Sequence, residues 1–130
     1  KLLPAKTTVL AITGATLGQV SLLEIDSCAN QSVVGVKEND LVPYTFIYPL
    51  IKSNIKVLIQ MQTGGAQQHI NKDNIQSLKL VICPDCIMSD YHDVAKELYN
   101  QIGVLCFENI RLSLLRDTLL PKLMSGQIKV

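Results

Sequence analysis

The chain has 130 residues, 48% of them apolar and 18% charged, with a net charge of +1. That is enough for one packed domain, or a small domain plus an extension, and it excludes a disordered chain driven by charge. With no Trp, four Tyr and two Phe, an aromatic platform for stacking single-stranded nucleic acid is not expected.

No run of about 18 apolar residues is present, so no membrane span is expected, and no basic and apolar leader opens the chain. A cytoplasmic location follows as the expectation, with Cys28, Cys83, Cys86 and Cys106 as thiols. Residues 1–82 hold seven Lys and five acids, and residues 83–130 hold five bases and six acids. Neither half is a polybasic patch, so any neutralisation of phosphates is modest and points to work within a larger assembly.

In chain order, Thr8–Ile12 reads as a strand, Thr13–Gly18 as a glycine-bearing turn, Gln19–Leu23 as a second strand and Ser32–Val36 as a third. Lys37–Asp40 is a turn. Asp40 is a candidate N-cap for a helix with Pro43 in its first turn, and Pro49 is expected to kink or split that helix. Its second part, Ser53–Met61, places Ile55, Leu58 and Ile59 on one face. Thr63–His69 reads as a loop, Asn71 as the cap of a short turn and Lys79–Cys83 as a last buried strand.

A long helix is expected from Ser89 or Asp90. Leu98, Leu105, Leu112 and Leu119 recur every seven residues, and Ile102, Asn109, Arg116 and Leu123 follow four residues after each. That is a heptad seam with two polar residues in it, which weaken the seam but set its register. From Asp90 to Leu120 such a helix is roughly 45 Å long, more than a small core covers, so part of its stripe needs another helix. Pro121 is expected to end or bend it, with Ser125-Gly126 as a stop. The plainer alternative is an amphipathic helix packed on its own domain.

Cys83-Pro84-Asp85-Cys86 is a C-x-x-C, but His69, His92, Cys28 and Cys106 stand at no standard zinc spacing. A redox role needs the first cysteine at a helix N-terminus, whereas Cys83 is expected to close a strand with the helix several residues later. Inert thiols are therefore the expectation, with no metal and no cofactor. Thr13–Gly18 lacks the G-K-[ST] of a P-loop, and the two histidines stand without a nucleophile motif. No catalytic residue is nominated. His92 reads as an exposed residue in the first turn of the helix.

The segment 67–74 carries Gln67, Gln68, His69, Asn71 and Asn74. Amide side chains can pair bidentately with adenine, and Lys52, Lys56 and Lys72 can serve phosphates. Amide-rich loops are otherwise solvated turns.

Val9-Leu-Ala-Ile-Thr-Gly-Ala-Thr-Leu-Gly-Gln-Val20 resembles the strand–turn–strand segment of the specificity subunits of type I restriction–modification systems. Asn30-Gln31-Ser32 before an apolar strand matches the next block. Thr63-Gly-Gly-Ala-Gln-Gln-His-Ile-Asn71 is similar to that family's T-G-G-A-Q-x-x-I-N loop, and Leu115–Ile128 to its usual C-terminus. Cys83–Met88 departs from the family's I-P-x-P-P-x-x-E-Q run.

The resemblance implies an α+β fold: a partial, mixed β-rich target-recognition domain over residues 1–88, then a long coiled-coil-type spacer helix and tail over residues 89–130. It implies sequence-specific recognition of double-stranded DNA by a subunit that is not itself an enzyme. The implied partners are methyltransferase and restriction subunits, or a second copy through the helix. DNA-side candidates are Thr16, Gln19, Lys52, Gln67, Gln68, His69 and Asn71. Helix-pairing candidates are Leu98, Ile102, Leu105, Asn109, Leu112, Leu115 and Leu119. Two alternatives differ in kind: a degenerate fragment that acts only through its helix, and a metal or redox module built on the C-x-x-C.

Overall fold

A computed structural model describes residues 2–61 and 69–128. Its elements are α+β. Five strands, β1 (Leu2–Leu3), β2 (Thr8–Ala11), β3 (Val20–Leu22), β4 (Ser27–Cys28) and β5 (Val33–Val36), precede three helices, α1 (Tyr44–Gln60), α2 (Lys72–Gln76) and α3 (Asp85–Met124). They form two compact units, Lys1–Asp93 and Val94–Val130.

In the first unit, β3, β2 and β5 form an antiparallel sheet with β2 in the middle, and β1 pairs with β4 in a separate ribbon. Alternation along β2 sends Thr8 and Leu10 into the interior. Leu10 joins Ile47, Ile51 and Leu58 of α1 and Ile70 in one buried cluster, with Ile12, Val20, Val36, Ile55 and Ile59 packed against it. The expected face of Ile55, Leu58 and Ile59 is therefore the face that meets the sheet.

The start of α1 differs from expectation. Pro43, not Asp40, is its N-cap residue; the Pro43 carbonyl accepts the Phe46 and Ile47 amides at 3.0 and 3.1 Å. Proline loses nothing there, because the first amides of a helix have no partner inside it. The Tyr44 amide donates instead to the Glu38 carboxylate at 3.1 Å. Nor does Pro49 split the helix, which runs unbroken from Tyr44 to Gln60.

The expected strand at 79–83 is absent. No sheet edge pairs with it, and Leu80, Val81 and Ile82 are exposed, Val81 by 95%. A β-type run forms a strand only where a neighbouring backbone completes its hydrogen bonds.

The last helix begins at Asp85, four or five residues before the expected start. The Pro84 carbonyl opens it by accepting the Met88 amide at 3.1 Å, and Asp85 places a negative charge in the first turn, where the helix dipole favours it. Cys83 thus stands just before a helix and not several residues from one.

At the other end, α3 passes through Pro121 and closes after Met124. Gly126 has φ +72°, its amide donates to the Leu123 carbonyl at 3.1 Å, and the Gln127 amide reaches back to Lys122 at 3.0 Å. That pair of bonds is a Schellman closure, which needs a left-handed residue. With 40 residues, α3 is about 60 Å long at ~1.5 Å per residue. Among the described residues, no helix is long and apolar enough to cross a membrane.

Candidate nucleic-acid interface

The β2–β3 connection is a 3-10 turn, Gly14–Thr16, held by bonds that cross it. The Gly18 amide donates to the Ala11 carbonyl and the Gln19 amide to Thr16, both at 2.9 Å. Gly14 and Gly18 have φ +77° and +85°. Gly18 is required twice over, since a Cβ there would lie 2.8 Å from the Ile59 Cδ1 atom of α1. The turn is thus pinned against α1, and it leaves Thr16 and Gln19 exposed.

A second segment is stitched to the same end of the hairpin. His69 forms a bridge with Thr13, and the Ile70 amide donates to the Ile12 carbonyl at 2.9 Å. Ile70 is fully buried, so an apolar anchor holds exposed His69 and Asn71 beside the turn. Asn71 is the N-cap residue of α2, as expected, but through its carbonyl, which accepts the Asn74 amide at 3.1 Å. The Asn74 side chain then donates to the Met61 carbonyl at 3.2 Å, so both flanks of 62–68 are fixed to the core. Gln67 and Gln68 themselves lie outside the described residues.

Thr16, Gln19, His69 and Asn71 therefore belong to one end of the hairpin. Among the described residues, Lys52 has no hydrogen bond or ion pair to them. It is exposed on α1, where its amine donates to the Tyr48 hydroxyl at 3.4 Å and lies 5.4 Å from that ring's centroid. Asn30, Gln31, Lys37 and Gln76 are not among the DNA-side candidates that the sequence offers, although Asn30 and Gln31 stand in one of the family blocks. They line, with Lys72, a groove of about 870 Å³ beside β5.

His92 is not the solvated first-turn residue that the sequence suggests. It is half-buried, 2.9 Å from the Thr45 hydroxyl through Nδ1, with its ring edge-on to Tyr44. The neighbouring Tyr91 hydroxyl donates to the Thr45 carbonyl. Thr45 is fully buried, so the first turns of α3 are keyed to α1 by polar bonds that sequence spacing does not reveal.

In the second unit, Leu98, Ile102, Leu105, Leu112 and Leu115 are each 52–56% exposed, and Asn109 and Leu119 are exposed with them. At about 100° per residue, Phe107, Ile110 and Leu114 fall on the opposite side of the helix, and they are exposed as well. The heptad search missed this second stripe because it follows a different pair of positions. The four cysteines are free thiols, with Cys83 half-buried and the others exposed. Among the described residues, no group of three or more His, Cys, Asp or Glu is placed to hold a metal.

Residues 1–87 match the family described as type I restriction modification DNA specificity domain. The chain is 28% identical over 131 aligned residues to the type I restriction enzyme HindI specificity subunit of Haemophilus influenzae, covering 98% of this chain and 28% of that subunit. It is 27% identical over 85 residues to the type I restriction enzyme MjaIX specificity subunit of Methanocaldococcus jannaschii, covering 65% of this chain and 20% of that one. The chain thus spans about a quarter of the length of these relatives. With two thirds of its residues inside the family match, this chain belongs to the type I restriction–modification DNA specificity domain family.

Proposed function

We propose that the chain recognises a specific sequence in double-stranded DNA for a type I restriction–modification complex, through its N-terminal domain, and is held in the complex by α3. Residues 1–88 are the recognition part and 89–130 the spacer and pairing part. The observation that carries this reading is the family match over residues 1–87, joined to an exposed hairpin end where Thr16, Gln19, His69 and Asn71 gather. Hydroxyl, amide and imidazole groups on rigidly backed turns suit the reading of base edges, and Lys52 and Lys56 on α1 suit phosphates. Gln67 and Gln68 extend the amide set.

The helix supports the assembly role. Its heptad stripe suits pairing with a second helix, either another copy or another recognition half, and the opposite stripe of Phe107, Ile110 and Leu114 suits a methyltransferase subunit. In this reading the chemistry of methylation and cleavage belongs to the methyltransferase and restriction subunits, and the chain supplies address and geometry.

The test is titration of the chain against a panel of random duplexes over a range of salt, alone and with a type I methyltransferase subunit. Enrichment of one sequence, with a specific-to-nonspecific ratio that survives salt, is the expected result. No enrichment in either setting sinks the recognition reading and leaves the helix as an interaction module.

A further inference from the structure

Asn74 closes the amide-rich run that starts at Gln67, and its residue type suits a base reader. Its polar groups are engaged within the chain instead. The backbone amide donates to the Asn71 carbonyl at 3.1 Å, the carbonyl accepts the Ser77 hydroxyl at 3.0 Å, and the side-chain amide donates to the Met61 carbonyl at 3.2 Å. The last of these bonds links residues 13 apart and joins two helices. Met61 is the C-cap residue of α1, and carbonyls at a helix end have no partner inside the helix. One side-chain bond thus closes α1 and fastens α2 to it.

With five residues, α2 is too short to be stable by itself. Ile75 and Leu78 pack against the buried cluster, but apolar contact has no direction and does not fix the rotation of so short a helix. A hydrogen bond does. Upstream, Ile70 is fully buried and its amide donates to the Ile12 carbonyl at 2.9 Å. His69 and Asn71 flank that anchor, and Asn71 is the N-cap residue of α2. The direction of α2 therefore sets how Asn71 stands beside His69. Ile70 is the pivot, and the Asn74 side chain is the second fixed point.

We propose that Asn74 is a positioning residue for base recognition: it does not touch DNA, and its bond to Met61 holds His69 and Asn71 in the one arrangement in which they read base edges together. This role rests on the recognition reading given above and says which amide of the run is spent inside the protein. Two groups that read neighbouring base edges must both be in register at once. A small rotation of α2 about Ile70 moves Asn71 relative to His69 and costs discrimination at every base pair that the two residues read.

Asn74→Ala in the 130-residue chain tests it. Alanine is the better helix former, so the change removes the bond to Met61 without weakening α2 itself. Without DNA, exchange of the Ile70 amide should quicken by about fivefold or more, while that of Ala11, bonded to Gln19 in the hairpin, stays as in the parent. With the duplex enriched from the random panel, the ratio of specific to nonspecific affinity should fall by about tenfold, spread over the base pairs that His69→Ala and Asn71→Ala also affect, with the salt slope unchanged. Asn74→Gln keeps the amide donor and should hold that ratio within about threefold of the parent. Preference lost at a single base pair makes Asn74 a reader and overturns the proposal. Unchanged exchange at Ile70, or equal loss of specific and nonspecific affinity, overturns it as well. A parent chain with no preferred duplex sinks the recognition reading and this role with it, an outcome that titration of the parent alone identifies.

Discussion

The Tyr91 hydroxyl donates to the Thr45 carbonyl at 3.2 Å, across 46 residues of chain. Thr45 lies four residues before Pro49, so its carbonyl is the one that proline leaves without a helical donor. Tyr91 supplies the missing donor from α3. The adjacent His92 engages the Thr45 hydroxyl, so the carbonyl and the hydroxyl of one buried threonine are both met by neighbouring residues of another helix. This accounts for an unbroken α1 and anchors the beginning of α3.

Tyr91→Phe removes that donor and leaves a buried carbonyl unpaired. A loss of about 1 kcal/mol is expected, read as a lower urea midpoint with an unchanged slope. Pro49→Ala restores an amide to the same carbonyl, so the loss should shrink by roughly 0.5 kcal/mol or more in that background. Additive losses would mean that the tyrosine hydroxyl does not act through the carbonyl that Pro49 leaves without a helical donor.

Gly18→Ala combines a positive φ with a contact of 2.8 Å on Ile59. The expected cost is about 1–3 kcal/mol. Gly14→Ala, with φ +77° and open space around it, should cost less, about 1 kcal/mol. Thermal melts of the two variants separate backbone strain from steric pressure, and equal shifts would refute the role given to Ile59.

Leu105→Lys places a charge in the centre of the heptad stripe. Leu105 is 56% exposed in the chain alone, so the first unit should melt as before. Formation of the oligomer or subunit complex should fall by tenfold or more, on the order of 1.4 kcal/mol. Light scattering that shows the same mass distribution as the parent protein, with and without partner, would remove the pairing role.

Lys52→Gln should weaken binding to all duplexes about equally and lower the salt slope by about one. Gln67→Ala with Gln68→Ala should weaken the preferred sequence while nonspecific affinity hardly changes, about 1–3 kcal/mol of discrimination for each lost bidentate pair. An equal loss on both classes of DNA would make the glutamines positioning residues.

Local chemistry alone sufficed for much of this protein. Short β-type runs between turn residues marked the strands near Thr8, Val20 and Val33, helical spacing marked the buried face of Ile55, Leu58 and Ile59, a seven-residue repeat marked the stripe from Leu98 to Leu119, and Gly126 marked the helix stop. Each depends on side-chain period or on a φ that only a few residues tolerate. The family blocks were legible for the same reason, being short runs around turns. Some expectations failed on a partner distant in the chain, and others on a cap only a few residues away. The Thr45 carbonyl that Pro49 leaves without a helical donor takes one from Tyr91, the Tyr44 amide is met by Glu38, His92 is held by Thr45, and residues 79–83 pair with no sheet edge among the described residues. A backbone group takes whichever donor or acceptor the fold brings within about 3 Å, and that choice exists only once the elements have packed.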